Sequence, residues 1–257
     1  MLVKTSLGPC IYVNYENYIE REIANNNFER EYLNLFYSTV NKGDIVVDVG
    51  TNIGFFALLA SKKVGKEGRV YAFEPIERNY KRLLRNLEAN YAENVKAFNF
   101  GLSDKYETLP MIVPEDNPGE SSLSEKNWSE LWWGFKTKKK IVNATLQTFD
   151  EIYMAENMGS VKIVKIDVEG AELKILKGMK NFLKVNKVND TILFIEIHPL
   201  LIEQIGGTVN ELIQILLDAG FTRVYSPKKK TTLRLQQNSD VVKNWIGLES
   251  ADLVVSK

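Results

Sequence analysis

The sequence predicts an α/β protein: a doubly wound, Rossmann-like, mostly parallel sheet with helices on both faces. Three observations carry that expectation. From residue 44 onward, apolar runs of strand length alternate with segments of helical period, the pattern of parallel strands joined by crossover helices. The runs are continuous Val/Ile stretches, as expected of strands covered on both sides. A glycine turn, "DVGTNIG", separates the first run from its helix. Right-handed crossovers then bring the strands' C-terminal ends to one rim, where open α/β sheets bind their ligands.

Residues 1–43 read as an N-terminal extension, in which "FEREYLNLFYSTV" (28–40) has the spacing of an amphipathic helix. The domain proper, 44–257, opens with the strand "DIVVDVG" (44–50) and a helix over roughly 53–63. "GRVYAFEP" (68–75) and a helix over roughly 76–90 follow, and "NVKAFNFGLSD" (94–104) is the third strand. Residues 105–148 interrupt the alternation. There "TLPMIV" and "KKIVNATL" flank a stretch rich in tryptophan and turn residues, and an insertion of that length suits a lid over an acceptor site. "VKIVKIDVEG" (161–170) is the fourth strand and leads into a helix near Ala171. "TILFIEIHP" (191–199) is the fifth, followed by the helix "TVNELIQILLDAG" (208–220), whose Gly220 suits the C-terminal cap. "FTRVYSP" (221–227) and "LESADLVVSK" (248–257) are the last two strand candidates.

Composition narrows the class. The 257 residues are 44% hydrophobic, enough for a sizeable core, and 33 basic side chains balance 33 acidic ones. A nucleic-acid partner is not expected from a neutral chain whose only basic clusters are Lys138–Lys140 and Lys228–Lys230, both read as solvated loops. The single cysteine, Cys10, excludes an internal disulfide and suits a reducing compartment. No apolar run is long enough to span a membrane and no signal peptide is evident, so a cytoplasmic protein is expected. Nothing speaks to the oligomeric state.

Gly50 and Gly54 are spaced Gly-x-x-x-Gly, with Asn52 between them, unlike the Gly-x-Gly-x-x-Gly of dinucleotide folds. Asp48 stands two residues before Gly50, where a carboxylate repels phosphate and favours a cationic or donor-rich ligand. Glu74 ends the second strand, at the place where an acidic side chain takes ribose hydroxyls. A ligand with a ribose, positive charge and no phosphates is S-adenosylmethionine.

"VVDVGTNIGFFALLA", "VYAFEP", "GLSD", "VKIDVEGAELKILKGM" and "ILFIEIHP" occur in that order and resemble the FkbM-type family of S-adenosylmethionine-dependent methyltransferases over roughly 28–220. The resemblance implies the class I methyltransferase fold, a seven-stranded sheet with the last strand antiparallel. It also implies O-methylation, often of a sugar or polyketide-derived hydroxyl. By matching motif, Asp48, Gly50, Asn52 and Gly54, with the adjoining Thr51 and Phe55, would line the methionine part of the cofactor. Glu74 would hold the ribose, Leu102 and Ser103 would edge the adenine, and Asp167 would lie beside the methyl group. Thr51 stands where the family often has Ala. The tryptophan-rich stretch and the region after 227 fall outside the pattern.

A sugar hydroxyl is a poor nucleophile at neutral pH, so a base or a metal should assist. The rim offers Asp167, Glu169 and Glu172 after the fourth strand, and Glu196 and His198 after the fifth. Strand alternation puts Glu196 and His198 on one face and Ile197 on the other. His198, the only histidine, has the ordinary pKa of a proton shuttle. Asp167, Glu169, Glu196 and His198 are therefore the catalytic candidates, while Glu172 also suits the first turn of a helix. Asp167, Glu196 and His198 could instead bind a hard divalent ion such as Mg²⁺. Trp128, Trp132 and Trp133, beside Phe135, offer either core packing or a stacking platform for a small-molecule or glycan acceptor. Two other readings remain open: a non-catalytic S-adenosylmethionine-binding module, and a nicotinamide-dependent oxidoreductase, which the glycine spacing and Asp48 oppose.

Overall fold

The structure, a computed structural model, describes residues 1–124, 138–185, 191–235, 244–247 and 250–257. An antiparallel hairpin of β1 (Leu2–Lys4) and β2 (Cys10–Tyr12) leads into helices α1 (Tyr18–Ala24) and α2 (Arg30–Thr39). Three-residue strands are too short to show a period, so the hairpin has no sequence signature. α2 is the amphipathic helix expected at 28–40. Its Tyr32 and Phe36 each meet Phe56 and Phe194 edge-on. Arg82 fastens the segment by forking onto both carboxylate oxygens of Glu20, at 2.5 and 2.6 Å, and reaching the Tyr12 carbonyl.

The main unit alternates strand and helix: β3 (Ile45–Val49), α3 (Phe55–Val64), β4 (Arg69–Phe73), α4 (Glu77–Ala89) and β5 (Val95–Phe98). A short β6 (Gly101–Leu102) then joins the hairpin of β7 (Glu107–Pro114) and β8 (Lys139–Gln147) in a separate three-stranded sheet. The expected third strand, 94–104, is thus divided between two sheets. After α5 (Phe149–Ala155) come β9 (Val161–Ile166), α6 (Glu172–Gly178), α7 (Lys180–Val185), β10 (Ile192–Ile197), α8 (Pro199–Gln204) and α9 (Val209–Asp218). β11 (Arg223–Ser226), β12 (Thr231–Arg234) and β13 (Ala251–Ser256) complete the main sheet.

That sheet has eight strands in the order β12–β11–β13–β10–β9–β3–β4–β5. β5, β4, β3, β9 and β10 run parallel, and β13, last in the chain, is antiparallel to β10. Seven strands were expected; the eighth, β12, is an edge strand that folds back on β11 across the exposed lysines 228–230. Helices cover both faces. Val47 and Val49 of β3 pack with Ile175, Leu176 and Leu212 on one side, while Val46 packs with Leu58, Leu59 and Phe36 on the other. α9 begins with a reciprocal capping box between Thr208 and Glu211, and Gly220 past its end has φ +85°. Among the described residues no helix is long and apolar enough to cross a membrane. Trp128, Trp132, Trp133 and Phe135 lie outside the described residues.

Candidate active site

The chain leaves β3 through a turn that only small or permissive residues can make. Gly50, Asn52 and Gly54 all have positive φ, at 77°, 50° and 90°. The backbone N–H groups of Gly50 and Thr51 both donate to the Phe73 carbonyl at the end of β4, and the Asp167 N–H donates to the Val49 carbonyl. The turn therefore lies against the tips of two neighbouring strands. A Cβ on Gly50 would sit 1.9 Å from the Asp167 carbonyl oxygen, so no other residue fits there.

Beside the turn opens a cavity of about 630 Å³, part of it open to solvent. Val49, Gly50 and Asn52 border it on one side, and Ile76, Leu102, Met111 and Leu146 supply an apolar wall. Glu74, 4% exposed, reaches into it from the end of β4. Its carboxylate accepts from the backbone N–H of Asn52 and of Ile76, both at 2.9 Å, and at 3.5 Å from Asn79 Nδ2. Burial outweighs those donors and pushes the Glu74 carboxyl up to about 7. Asn79 also lines the cavity, and its Oδ1 has no hydrogen-bond partner among the described residues. Sequence reasoning missed Asn79, although its place in the first turn of the helix that follows Glu74 was a usable signal.

The insertion roofs the cavity. Pro118, Gly119, Ser121 and Ser122 lie over it, latched on three sides. Asn79 donates to the Pro118 carbonyl, Asn17 donates to the Asp116 carbonyl, and Ser122 Oγ donates to the Glu169 carbonyl at 2.5 Å.

Several residues expected around the cofactor lie elsewhere. Gly50, Asn52, Glu74, Leu102 and Asp167 line the cavity; Asp48, Thr51, Gly54, Phe55 and Ser103 do not. Strand alternation sends Val49 toward the cavity and Asp48 to the opposite face, where it is fully buried. There Asp48 accepts from Thr51 Oγ1 at 2.6 Å, bracing the turn from below. Burial raises its carboxyl, opposed by Lys165, the Thr51 hydroxyl and the Ala57 backbone N–H. Phe55 packs against Phe28 and Phe56, and the Ser103 hydroxyl turns to Asp104 and Glu107. The acidic mouth expected from Asp48 and Glu74 is therefore Glu74 alone.

At the other end of the cavity stand Asp167 and Glu169. Lys165, buried in the sheet, holds the Asp167 carboxylate at 2.6 Å and lies over the Phe56 ring. His198 is wedged between Glu196 Oε1, at 3.3 Å, and Glu169 Oε2, at 3.7 Å. Burial lowers its pKa, but these two carboxylates outweigh burial and hold the imidazole well above its usual value. Raised in this way, the imidazole favours its protonated form, the opposite of what a general base or a metal ligand needs. Burial likewise raises Glu169, with His198 opposing, and pushes Glu172 up to about 8. The Asp167–Glu196–His198 set expected for a divalent ion thus carries its own cations.

The chain's 48–223 segment matches the family model "Methyltransferase FkbM domain". Methyltransferase sdnD of Sordaria araneosa is 31% identical over 155 residues, 52% of this chain and 60% of that protein. The hexuronic acid methyltransferase AglP of Haloferax volcanii is 32% identical over 170 residues, 66% of this chain and 62% of its own length. The chain thus spans about three-fifths of the curated relatives it matches. A solved Clostridium thermocellum structure, a "putative rRNA-methylase", superposes with a TM-score of 0.50 at 12% identity, covering 88% of this chain and 92% of that one; at that identity it speaks for the fold alone. A strand–turn–helix cradle with an acidic second strand, in a sheet of this order, agrees with the match over two-thirds of the sequence: the chain belongs to the FkbM methyltransferase family.

Proposed function

We propose that this chain is an S-adenosylmethionine-dependent O-methyltransferase that methylates a hydroxyl of a sugar, glycan or related natural product. The observation that carries the reading is Glu74: a buried carboxylate facing the cavity beside a glycine turn. Its two oxygens offer about four acceptor sites. Two short hydrogen bonds and one long one leave capacity for a ribose diol. The bare Cα of Gly50 lets the turn pack directly against the Asp167 carbonyl, which keeps the turn backbone at the edge of the cavity. Ile76, Leu102, Met111 and Leu146 would flank an adenine, and Asn79 Oδ1 would accept from it or from the sugar.

S-adenosylmethionine supplies, when bound, an electrophilic methyl group on a sulfonium. The chain's own residues position the acceptor and handle its proton. Glu169 lines the cavity, so its carboxylate, when ionised, would take the proton of an acceptor hydroxyl held there. His198, 3.7 Å behind it, and the Asp167–Lys165 pair hold the neighbouring charges in place. Residues 118–122 would cover part of the bound donor. The sugar class is supported by the hexuronic acid methyltransferase relative.

Calorimetry with S-adenosylhomocysteine and with NAD tests the cofactor: binding of the first and not the second is expected, and the reverse would sink the reading. Mass spectrometry across glycans, nucleotide sugars and hydroxylated metabolites then seeks the gain of one methylene. Tight cofactor binding without transfer to any of them would favour the non-catalytic module.

A further inference from the structure

On the face of the sheet opposite the cavity wall, under α2, three carboxylates converge: Glu29 at the N-cap of α2, Glu196 on β10 and Asp252 on β13. One oxygen from each lies within 4.8 Å of the others. We propose that these three residues bind a hard divalent cation. Oxygens coordinating one ion at about 2.0–2.6 Å stand no more than about 5 Å apart, which this trio satisfies.

The surroundings favour a cation there. Glu196 and Asp252 are direct cross-strand partners in the β10–β13 register. Like charges opposite each other on adjacent strands repel unless something lies between them. Asp167 adds a fourth carboxylate to the same neighbourhood, but the local cations are already engaged. Lys165 is paired to Asp167 at 2.6 Å, and His198 is shared between Glu196 and Glu169. Among the described residues, Glu29 and Asp252 form no ion pair. Independently, the Tyr32 hydroxyl is buried among the charges of Asp252, Glu29, Asp167 and Glu196 and has no hydrogen-bond partner among the described residues. Its ring, 3% exposed, is locked against Phe56 and Phe194, so the hydroxyl cannot turn away to water. A hydrated ion supplies the bound water that this oxygen lacks. Glu29 itself is held at φ +40°, a conformation non-glycine residues rarely adopt.

Glu29 and Asp252 both lie outside the 48–223 stretch that matches the family model, so the trio is a feature of how this chain's two ends close on the domain. The ion would tie the N-terminal segment and β13 to the rim beside Asp167. Ion binding does not depend on the nature of the acceptor.

The test is titration of the purified full chain with Mn²⁺, following free Mn²⁺ by electron paramagnetic resonance, with Mg²⁺ and Ca²⁺ as competitors. One Mn²⁺ per chain is expected, with its affinity at least tenfold weaker in both Asp252→Asn and Glu29→Gln. Saturating Mn²⁺ should raise the Tm of the wild type and leave that of the variants in place. Without metal the variants should melt at or above the wild-type Tm, because a repulsive charge has gone. If Glu29→Gln does not fold, the near-isosteric Asp252→Asn decides. No stoichiometric Mn²⁺, or equal binding by the variants, would overturn the proposal. S-adenosylhomocysteine binding, measured on the same samples, should be unchanged in the variants; its absence from the wild type would count against the proposed function and not against the ion.

Discussion

The two ends of the cavity are built on opposite principles. At the turn and Glu74, backbone does the positioning: N–H groups of Gly50, Thr51, Asn52 and Ile76 and a single carboxylate form a nearly satisfied network. At the tips of β9 and β10, Asp167, Glu169, Glu196 and His198 form a crowd of side-chain charges in which acids outnumber bases. The contrast separates two tasks. A donor with fixed shape is best held by a rigid backbone cradle. Removing a proton and accommodating an acceptor call for groups whose charge can change.

Four substitutions probe that contrast, in descending order of effect. Glu169→Gln should lower kcat by about 10²–10⁴-fold, the worth of a general base, while S-adenosylhomocysteine affinity stays put. Steady-state kinetics beside calorimetry reads the split; loss of cofactor affinity instead would erase the distinction between the two ends. Gly50→Ala should destabilise the fold by about 3 kcal/mol or more, since the new Cβ would meet the Asp167 carbonyl at 1.9 Å in a left-handed turn. Urea unfolding measures it, and a change below about 1 kcal/mol would show the cradle is softer than its geometry.

Glu74→Gln should weaken S-adenosylhomocysteine binding by about 1.5–3 kcal/mol, roughly 10- to 150-fold in Kd. The pH dependence sharpens this point. The Glu74 carboxyl is raised to about 7 by burial, so the free protein holds a proton there below that pH. Hydroxyl donors favour the carboxylate, so wild-type affinity should climb as pH rises through about 7, and the glutamine variant should show a flat profile. Stability follows the opposite sign. The folded state binds this proton more tightly than the unfolded chain, so the Glu74 contribution favours folding at low pH and is lost as pH rises to about 7. Denaturation midpoints of wild type and variant should therefore diverge from acid toward neutral pH. Smallest of all, Gly43→Ala, with φ +84° and nothing within 4 Å of the new Cβ, should cost about 1 kcal/mol and leave binding unaltered.

Much of the cradle is legible in the sequence because backbone conformation selects residue type locally. Gly50 and Gly54 stand where positive φ is needed, and Glu74 follows at the end of the next apolar run. Asp48 was misplaced at the pocket mouth although Val49 beside it showed the alternation: adjacent strand residues cannot both face the ligand. Asn79 was within reach of helical spacing. The extra edge strand β12 and the β1–β2 hairpin were not, because three or four residues carry too little pattern.

By itself the sequence determined the alternation of buried strands and helices, the rim beside which the cavity opens and the glycine turn with its acidic partner. Each of these follows from interactions between residues close together in the chain, where period and spacing can be read directly. Only the tertiary structure decided that His198 is clamped by Glu169 and Glu196, that Lys165 neutralises Asp167, and that Glu29 and Asp252 meet Glu196. These contacts depend on strand register and on where the two chain ends dock. Charges brought together from distant parts of a chain acquire their chemistry only from the burial and neighbours that folding imposes.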